Sequence, residues 1–451
     1  MRAAIVLSVF VLACSPTSSN PDDGGSDAAI DVPADVAQND SSSDAGDAGS
    51  TTGTFCTSET PTVAQSDAGP GLEVTTTHYD LYAETTNADA TEMARLLEAS
   101  GAAFASWFER PQPANRLKVK YFADQNAFTA GLAADGIQLN GEAGGYYSPA
   151  TSTAYLYKQG NPYYSHVLLV HEATHQFHFL TRLKNPSPAF WYVEGHAEYL
   201  SRHDWDGQCV RLGVTSLLSW EDLPAQAASE GGPIDVPSII SGTKTGTRAD
   251  AWAIVRYLDT GSHKAAFQAF RDAYDANTSP SFDTVVAPAS SLVSPISSWL
   301  SSAQEPMKPI FTEWIHVGPT AVNVDTPAVF SLAVVKSGAP THLEVKFTVP
   351  TSGNFDVGVV VTYTDSTHYV GVVHGNDGNV RTFTANGSAV WNNVGTAPAP
   401  SNGEEVISVD VSNGTAHVVF NGKTIDVPVA QPHLGIAAND TTGHFTALSW
   451  Q

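Results

Sequence analysis

The sequence predicts an α+β domain followed by an all-β sandwich, with a disordered acidic segment ahead of both. Three observations lead to this prediction. First, 451 residues exceed what one hydrophobic core ordinarily organises, and a hydrophobic content of 42% is typical of globular chains. Second, before residue 319 a few strand-like segments are followed by segments of helical periodicity. Third, after that point short alternating segments recur, separated by Gly, Asn, Asp and Pro.

The N-terminus has the features of a secretion signal. Residues 1–14 read MRAAIVLSVFVLAC, with one Arg, an apolar run too short to span a bilayer, and small Ala13 before Cys14. The stretch VLAC resembles the lipobox of bacterial lipoproteins, which implies cleavage before Cys14 and its lipidation. The resemblance also implies export across the inner membrane and an outer-membrane lipoprotein on the periplasmic or cell-surface face. A plain secretory signal with an incidental cysteine is the alternative.

Residues 15–70 predict a disordered linker. They contain ten acidic residues and no Lys or Arg, and Ser, Gly, Ala, Thr and Pro make up most of the rest. Such a composition offers too little apolar surface to order itself, so we interpret the segment as a solvated tether. The whole chain has 21 basic and 46 acidic residues, a formal charge of −25, which argues against nucleic acid as a partner.

If Cys14 carries lipid, Cys56 and Cys209 remain as an even pair in an oxidising compartment. A disulfide between them is the simplest arrangement, and two free thiols are the alternative, because spacing alone supplies no geometry. The disulfide would fasten the end of the linker to the domain that follows.

Residues 72–318 form the predicted α+β domain. Strands are expected in VTTTHYDLYAE and RLKVKYFA, and the amphipathic segment ATEMARLLEASGAAFASWF between them predicts a helix. The segment GGYYSPATSTAYLYK indicates a hairpin, with two aromatic-rich β segments around a turn. Further helices are expected at about 163–182, 190–203, 248–259, 263–276 and 295–315.

The segment HVLLVHEATHQFHFL carries the residues that point to chemistry. His171 and His175 lie four apart in a helical segment, so both rings project from one face and can reach one zinc ion. Glu172 is rotated about 100° around the helix, where a carboxylate can take a proton from an attacking water. His178 shares the face of the other histidines. One helix cannot bend three successive ligands onto one tetrahedral centre, so we expect a packed or hydrogen-bonded histidine there.

A third ligand is available on the next predicted helix. Eighteen residues separate His175 from Glu194, which leaves room for the first helix to end, a turn through NPSP and a returning helix. Glu198 follows four residues later on the same helical face. The HEATH motif and the Glu of WYVEGHAEY at this spacing resemble the gluzincin metallopeptidases, including the aminopeptidase N family and bacterial peptidase MA-like proteins.

That resemblance implies a zincin-like fold for the α+β domain and a peptidase with one Zn²⁺ per chain. His171, His175 and Glu194 are then the zinc ligands, and Glu172 is the general base. Glu198 occupies the place of an acid that orients a zinc-bound histidine in thermolysin-like members. The sequence has no GxMEN-like exopeptidase signature, which favours an endopeptidase acting on a protein or peptide substrate.

Two further features of the resemblance concern the substrate. Related peptidase MA-like proteins often carry a Tyr before the Ala/Ser-Trp of a later helix, whereas this chain has Arg248 in RADAWAIVRYL. Arg248 either stabilises the oxyanion or solvates the start of the helix, and Tyr146, Tyr147 and Tyr257 are the other candidate donors. The segment with Tyr146 and Tyr147 also resembles the edge strand above the zinc in this clan. There an extended peptide would bind by strand addition; an ordinary hairpin is the alternative.

Residues 319–451 are predicted to form the sandwich. The ending HLGIAANDTTGHFTALSWQ resembles the last strands of concanavalin-like and laminin-G-like jelly rolls, domains that often bind glycans or proteins. Trp391, Tyr363 and Tyr369 would then form a ligand surface, although core packing explains such aromatic residues equally well.

These observations predict a zinc peptidase tethered to the outer membrane. The alternative is a catalytically inactive surface lipoprotein whose sandwich binds a glycan or a protein. Hydrolysis of a non-peptide bond is a third hypothesis, because such ligands activate water toward any carbonyl that is presented.

Overall fold

A computed structural model provides the coordinates of the chain. It describes residues 53–67, 69–139, 143–159, 162–214, 234–302, 307–310, 314–318, 321–335, 339–349, 355–365, 367–386, 389–400 and 403–451. The predicted signal with Cys14, most of the predicted linker and the predicted domain boundary at residue 319 lie outside the described residues. Among the helices in these stretches, none is both long enough and apolar enough to cross a membrane.

A six-stranded sheet underlies the α+β domain. The first seven strands of the chain are β1 (Phe55–Cys56), β2 (Thr62–Gln65), β3 (Leu72–Thr75), β4 (Tyr79–Ala83), β5 (Leu117–Phe122), β6 (Gly145–Ser148) and β7 (Thr153–Tyr157). The sheet has the order β2-β3-β4-β5-β7-β6; β4, β5 and β7 are parallel and the other neighbours are antiparallel. β6 is therefore an edge strand, and β6 and β7 form the predicted hairpin.

Helices pack on both faces of this sheet and continue beyond it. They are α1 (Asn87–Trp107), α2 (Gln125–Ala134), α3 (Pro162–Thr181), α4 (Phe190–Ser201), α5 (Val236–Ile240), α6 (Arg248–Thr260), α7 (Lys264–Asp275), α8 (Phe282–Val285) and α9 (Val293–Ser302), with a 3₁₀ turn at Ala289–Leu292. Helices α3, α4, α6 and α7 match the predicted ranges to within two residues. α2 was not predicted. It starts where the Asp124 side chain accepts a hydrogen bond from the amide of Ala127.

α3 occupies the centre of this domain. It contacts α1, the strands β6 and β7, and α4, while α4 in turn packs on α6. Large buried side chains fill the space between these elements, among them Phe104 of α1, Phe177 of α3, Trp191 of α4 and Trp252 of α6. The helix that carries the HEATH motif is thus enclosed on several sides, which fixes where its polar side chains lie.

A disulfide joins the start of the described chain to this domain. β1 pairs antiparallel with β9 (Cys209–Leu212), which pairs with β8 (His203–Trp205). Cys56 lies opposite Cys209 in this small sheet, and the two form a disulfide bond. β1 and β2 fall within the range predicted as linker, so its end is ordered. The prediction missed this because the order comes from the disulfide and from pairing with distant strands.

The C-terminal part is an antiparallel β-sandwich. Its strands are β10 (Met307–Ile310), β11 (Trp314–Gly318), β12 (Ala321–Val335), β13 (His342–Thr348), β14 (Asp356–Asp365), β15 (His368–Gly375), β16 (Asn379–Asn386), β17 (Ala389–Thr396), β18 (Glu404–Ser412), β19 (Thr415–Phe420), β20 (Lys423–Pro428) and β21 (Gly435–Trp450). The main path runs β17-β16-β15-β14-β21-β13-β18-β19-β20, and β12 joins β10, β11 and β21. Phe347, Val359, Ile407 and Phe445 belong to a second core, separate from that of the α+β domain.

Further sequence predictions differ from the structure. The helix expected over 295–315 ends at Ser302, and β10 and β11 follow it as strands paired with β12. Pro309 within β10 removes a backbone donor and fixes its φ, which disfavours a helix interior. The sandwich sheet consequently begins at Met307, before the predicted boundary at residue 319.

The segment VTTTHYDLYAE, expected to form one strand, forms parts of two strands, β3 and β4. The chain turns at Thr76, whose amide donates to the carbonyl of Tyr79.

Replacing Cys56 and Cys209 by Ser should lower the free energy of unfolding by about 2–5 kcal/mol, because the disulfide closes a long loop in the unfolded chain. The two cysteines are 153 residues apart. Denaturant unfolding followed by tryptophan fluorescence would measure the difference. A reducing agent should bring the wild type to the stability of the double variant and leave the variant unchanged. Equal unfolding midpoints with and without the bond would contradict the prediction.

Candidate metal centre

The candidate metal centre lies between α3 and α4, inside the α+β domain. α3 presents His171 and His175 one helical turn apart, and each is about 1% exposed. α4 presents Glu194, which is fully buried. The connection between the helices is short, and Asn185 within it accepts a hydrogen bond from the amide of Ser187. This turn brings α4 back against α3.

The three side chains converge on one point. The Nε2 atoms of His171 and His175 are 3.1 Å apart. Nε2 of His171 lies 3.5 Å from Oε2 of Glu194, and Nε2 of His175 lies 3.4 Å from Oε1. One ligand-type atom from each of the three residues lies within 4.8 Å of the other two. Two imidazole nitrogens and one carboxylate form a donor set that suits zinc.

The surroundings of Glu194 test whether a cation fits there. Both of its carboxylate oxygens are buried, and neither makes a hydrogen bond of ordinary geometry with a described residue. Carboxylate oxygens that make no such hydrogen bond keep lone pairs with which they can bind a cation. The residues present therefore fit a zinc ion, which His171, His175 and Glu194 would hold.

Arg248, the first residue of α6, lies against this group. Its Nη2 is 3.4 Å from Oε2 of Glu194, and its Nη1 is 3.4 Å from Oε1 of Glu198. Burial alone would raise the pKa of the Glu194 carboxyl, but Arg248 and the two histidines hold that pKa well below its usual range. Burial would lower the pKa of His171, but the carboxylates of Glu198, Glu194 and Glu172 outweigh it and raise that pKa.

Glu198 lies behind His171, on the side away from Glu194. Its Oε1 is 3.6 Å from Nδ1 of His171, and its Oε2 accepts a hydrogen bond of 2.7 Å from Nη2 of Arg202. A carboxylate in this place can fix the orientation of a ligand ring. The sequence prediction did not include Arg202. The signal for it was its spacing of four residues from Glu198 at the end of the same helix.

Glu172 lies on the side of α3 that faces β6. It is fully buried. A Cβ added to Gly145 would come within 2.7 Å of Oε1 and 2.9 Å of Cγ of Glu172, so a glycine lets this strand approach the carboxylate. Gly145 was missed by the sequence prediction. Its signal was the GG pair directly before the aromatic edge segment.

The two tyrosines of β6 have buried side chains. Tyr146 is 5% exposed and packs in a cluster that includes Phe122, while Tyr147 is 1% exposed and its ring centroid lies 5.7 Å from that of Phe179. Burial raises the pKa of both, that of Tyr147 to about 12. Within the described part of the chain β6 pairs with β7 alone. The outer edge of β6 therefore leaves backbone hydrogen-bonding groups without a partner strand, while its two tyrosine side chains are buried.

His178 contacts α7 and not the three candidate metal ligands. Its Nε2 lies 2.9 Å from Oδ1 of Asp275. The same oxygen accepts a hydrogen bond of 2.8 Å from the hydroxyl of Tyr192, and Arg182 donates to Oδ2. Burial lowers the pKa of His178. His178 is a buried, hydrogen-bonded residue, as the sequence suggested, and it ties α3 to α7.

The remaining candidate donor lies away from this centre. Tyr257 is nine residues beyond Arg248 on α6, an axial distance of about 13 Å. Its ring packs near His263 and Trp299.

Gly195 allows α4 and α6 to pack closely, since an added Cβ would lie 2.6 Å from the carbonyl oxygen of Ala251.

No protein-family model matches this chain, and no curated protein matches it. Some solved structures align with part of this chain. The carbohydrate-binding module CBM66 from Bacillus subtilis is 13% identical, with a TM-score of 0.28, over 32% of this chain and 95% of that one. Galectin-Ib from Xenopus laevis is 13% identical, with a TM-score of 0.22, over 29% of this chain and 99% of that one. The sandwich is defined by its own strand pairing.

Replacing Asp275 by Asn should destabilise the protein by about 3–5 kcal/mol, because it leaves the buried Arg182 without its buried counter-charge. Asp272→Asn is the matched control. Asp272 contacts the same guanidinium but is 55% exposed, so its loss should cost less than about 1 kcal/mol. Denaturant unfolding would measure both changes. Similar losses for the two variants would contradict the proposed importance of the buried pair.

The same pair should make stability depend on acid pH. Burial would raise the pKa of Asp275, but the hydrogen bond from His178 and the charge of Arg182 hold that pKa well below its usual range. A lowered folded-state pKa contributes stability at neutral pH, and this contribution falls progressively once the pH drops below about 4. Comparison of unfolding free energies from pH 7 to pH 3 should therefore show a shallower loss for Asp275→Asn than for the wild type.

Proposed function

We propose that the α+β domain is a zinc-dependent peptidase, and that it acts as an endopeptidase. The observation that carries the proposal is the buried convergence of His171, His175 and Glu194 beside Glu172. The spacing of HEATH and Glu194, which resembles that of gluzincin metallopeptidases, supports it. One zinc ion per chain would be held by the three converging residues.

Each residue has a distinct part in this proposal. A bound zinc ion would act as a Lewis acid and lower the pKa of a water molecule. Glu172 would take a proton from the attacking water and pass it to the leaving amine. Gly145 lets β6 lie close to the Glu172 carboxylate, and this strand shields the carboxylate from bulk solvent. Glu198 and Arg202 would hold the ring of His171 in one orientation.

The position of β6 supports an extended peptide as substrate. Its outer edge has no partner strand within the described residues, so backbone N–H and C=O groups can pair with an added strand. Gly145 at the start of β6 lies against Glu172. A peptide added to this edge would therefore run past the candidate base. This arrangement suits a polypeptide better than a small ester.

We propose further that the protein is an outer-membrane lipoprotein, anchored through Cys14 on the periplasmic or cell-surface face. The lipobox-like stretch and the acidic linker of residues 15–70 support this location. The substrate would then be a protein or peptide within reach of the membrane surface.

Replacing Glu172 by Gln should abolish cleavage and leave zinc binding intact. Glutamine keeps the size of the side chain but cannot accept a proton, and a general base contributes about 10²–10⁴-fold in rate. Cleavage of a peptide library and zinc content per chain would be measured on the purified full-length protein. His175→Ala should lose both zinc and cleavage. Glu344→Gln, at an exposed position of β13, should lose neither.

Three results would contradict the proposal in different ways. Zinc bound to the wild type without cleavage of any library peptide would favour the alternative, an inactive surface lipoprotein. Hydrolysis of other carbonyl compounds without peptide cleavage would assign a different bond to the same residues. Failure of the wild type to bind zinc would exclude the metal centre itself.

A second proposal concerns the sandwich, which we propose binds a glycan on a surface that includes Trp391. Trp391 on β17 is 41% exposed, and its ring centroid lies 4.7 Å from that of Phe383 and 5.7 Å from that of Phe330. Tyr369 is 6% exposed and Tyr363 is half-buried. Core packing accounts for Tyr369 but leaves much of the indole of Trp391 in solvent. A large aromatic ring held on a strand is a favourable contact surface.

Replacing Trp391 by Ala should weaken glycan binding by at least about tenfold, the size of loss expected when a central aromatic contact is removed. Binding of the full-length protein to a glycan array would identify a ligand, and titration would compare the variants. Val406→Ala is the control, because Val406 is 40% exposed but lies on β18, elsewhere in the sheet path. Equal affinity for wild type and Trp391→Ala would contradict the proposal.

A further inference from the structure

The guanidinium of Arg248 spans two acidic side chains of α4. It lies 3.4 Å from Oε2 of Glu194 through one nitrogen and 3.4 Å from Oε1 of Glu198 through the other. The Arg248 side chain is 21% exposed, whereas those of Glu194 and Glu198 are 0% and 5% exposed. One cation at the rim of the site therefore contacts both a candidate zinc ligand and the acid behind His171.

The start of α6 does not explain this placement. Thr247 and Asp250 form a capping box there. The amide of Asp250 donates to the Thr247 hydroxyl at 3.1 Å, and the amide of Thr247 donates to the Asp250 carboxylate at 2.8 Å. The helix dipole favours negative charge at this end, so a cation as the first residue is unfavourable. The position of Arg248 is better explained by the carboxylates that it contacts.

Arg248 matters more for neutralising the charge of Glu194 than for neutralising that of Glu198. Glu198 has a second cation, Arg202, at 2.7 Å. Arg248 is the one Lys or Arg within 4 Å of Glu194 among the residues that the structure describes. A fully buried carboxylate needs such a partner whenever no metal is bound, because an unpaired buried charge is strongly destabilising.

We propose that Arg248 is the internal counter-ion of Glu194. It neutralises the carboxylate in the metal-free protein, and its positive charge opposes the arrival of a second cation at the same carboxylate. Arg248 thus stabilises the metal-free site and lowers its zinc affinity. Both terminal nitrogens face carboxylates, and this assignment differs from the two roles weighed from the sequence, the oxyanion donor and the solvated start of the helix. The inference rests on the proposed zinc site and is independent of peptidase activity.

Stability without metal tests the counter-ion directly. In excess chelator, Arg248→Met should lower the thermal midpoint of the full-length protein by on the order of 5 °C. The double variant Arg248→Met/Glu194→Gln should recover most of that loss, because the charge that needs neutralising is gone. Arg248→Lys keeps the charge and should fall between wild type and Arg248→Met. Independent, additive losses in the double variant would overturn the proposal.

Zinc affinity provides the second measurement, by competition with a chromophoric chelator. Arg248→Met should bind zinc about tenfold or more tightly than the wild type, because a repulsive charge has been removed. Zinc should also raise its thermal midpoint by more than it raises that of the wild type, and should restore folding if the variant unfolds in chelator. Weaker zinc binding by Arg248→Met would overturn the proposal, because that is the result expected of a residue that only orients Glu194.

Arg256→Met is the matched control on the same helix. Arg256 lies over the ring of Trp252 at 5.1 Å and contacts neither carboxylate of the candidate site. Its loss should change the midpoint equally with and without zinc and leave zinc affinity unaltered. If the wild type binds no zinc, the proposed metal site fails, and the chelator measurements still decide whether Arg248 and Glu194 are coupled.

Discussion

The burial of Glu194 between α3 and α4 is the constraint on which the rest of the candidate site depends. A carboxylate with no exposure must have its charge balanced within the protein, and the neighbouring elements are placed accordingly. α3 supplies the two imidazoles on one side, and α6 supplies Arg248 on the other. The short connection before α4 and the close packing of α4 on α6 keep these partners together. The chemistry proposed for the site thus depends on how one acid is kept buried.

Rigid contacts on other sides of α3 hold this arrangement in place. Gly145 lets β6 approach Glu172, and a side chain there would move either the strand or the candidate base. At the far end of α3, His178 is fixed by Asp275 of α7. The first contact lies between the two candidate ligands of α3, and the second lies beyond His175 toward the end of the helix. A small displacement of α3 would disturb both the buried hydrogen bond of His178 and the close approach of β6 to Glu172.

The parts of the site that could be predicted are those set by local geometry. Two candidate ring ligands one turn apart follow from helical periodicity, and the third candidate follows from the spacing to Glu194, which resembles that of the gluzincins. The contact between His178 and Asp275 joins residues 97 apart, and no local pattern indicates it. The same limit explains the helix expected over 295–315. Its second half forms strands because β12 is available as a partner, and pairing with a distant strand outweighs local propensity.

The balance of charge at the centre has consequences for how the protein folds. The carboxylates of Glu172, Glu194 and Glu198 all act on His171, and the guanidiniums of Arg202 and Arg248 contact the last two of them. With neutral histidines the formal charge of this set is one negative unit, and a divalent zinc ion would make it one positive unit. Without Arg248 the metal-free set would carry two negative units, which is harder to bury, and zinc would bring it to neutrality. Arg248 therefore helps the domain to fold before a metal binds. It also lowers the zinc affinity below what the candidate ligands alone would give.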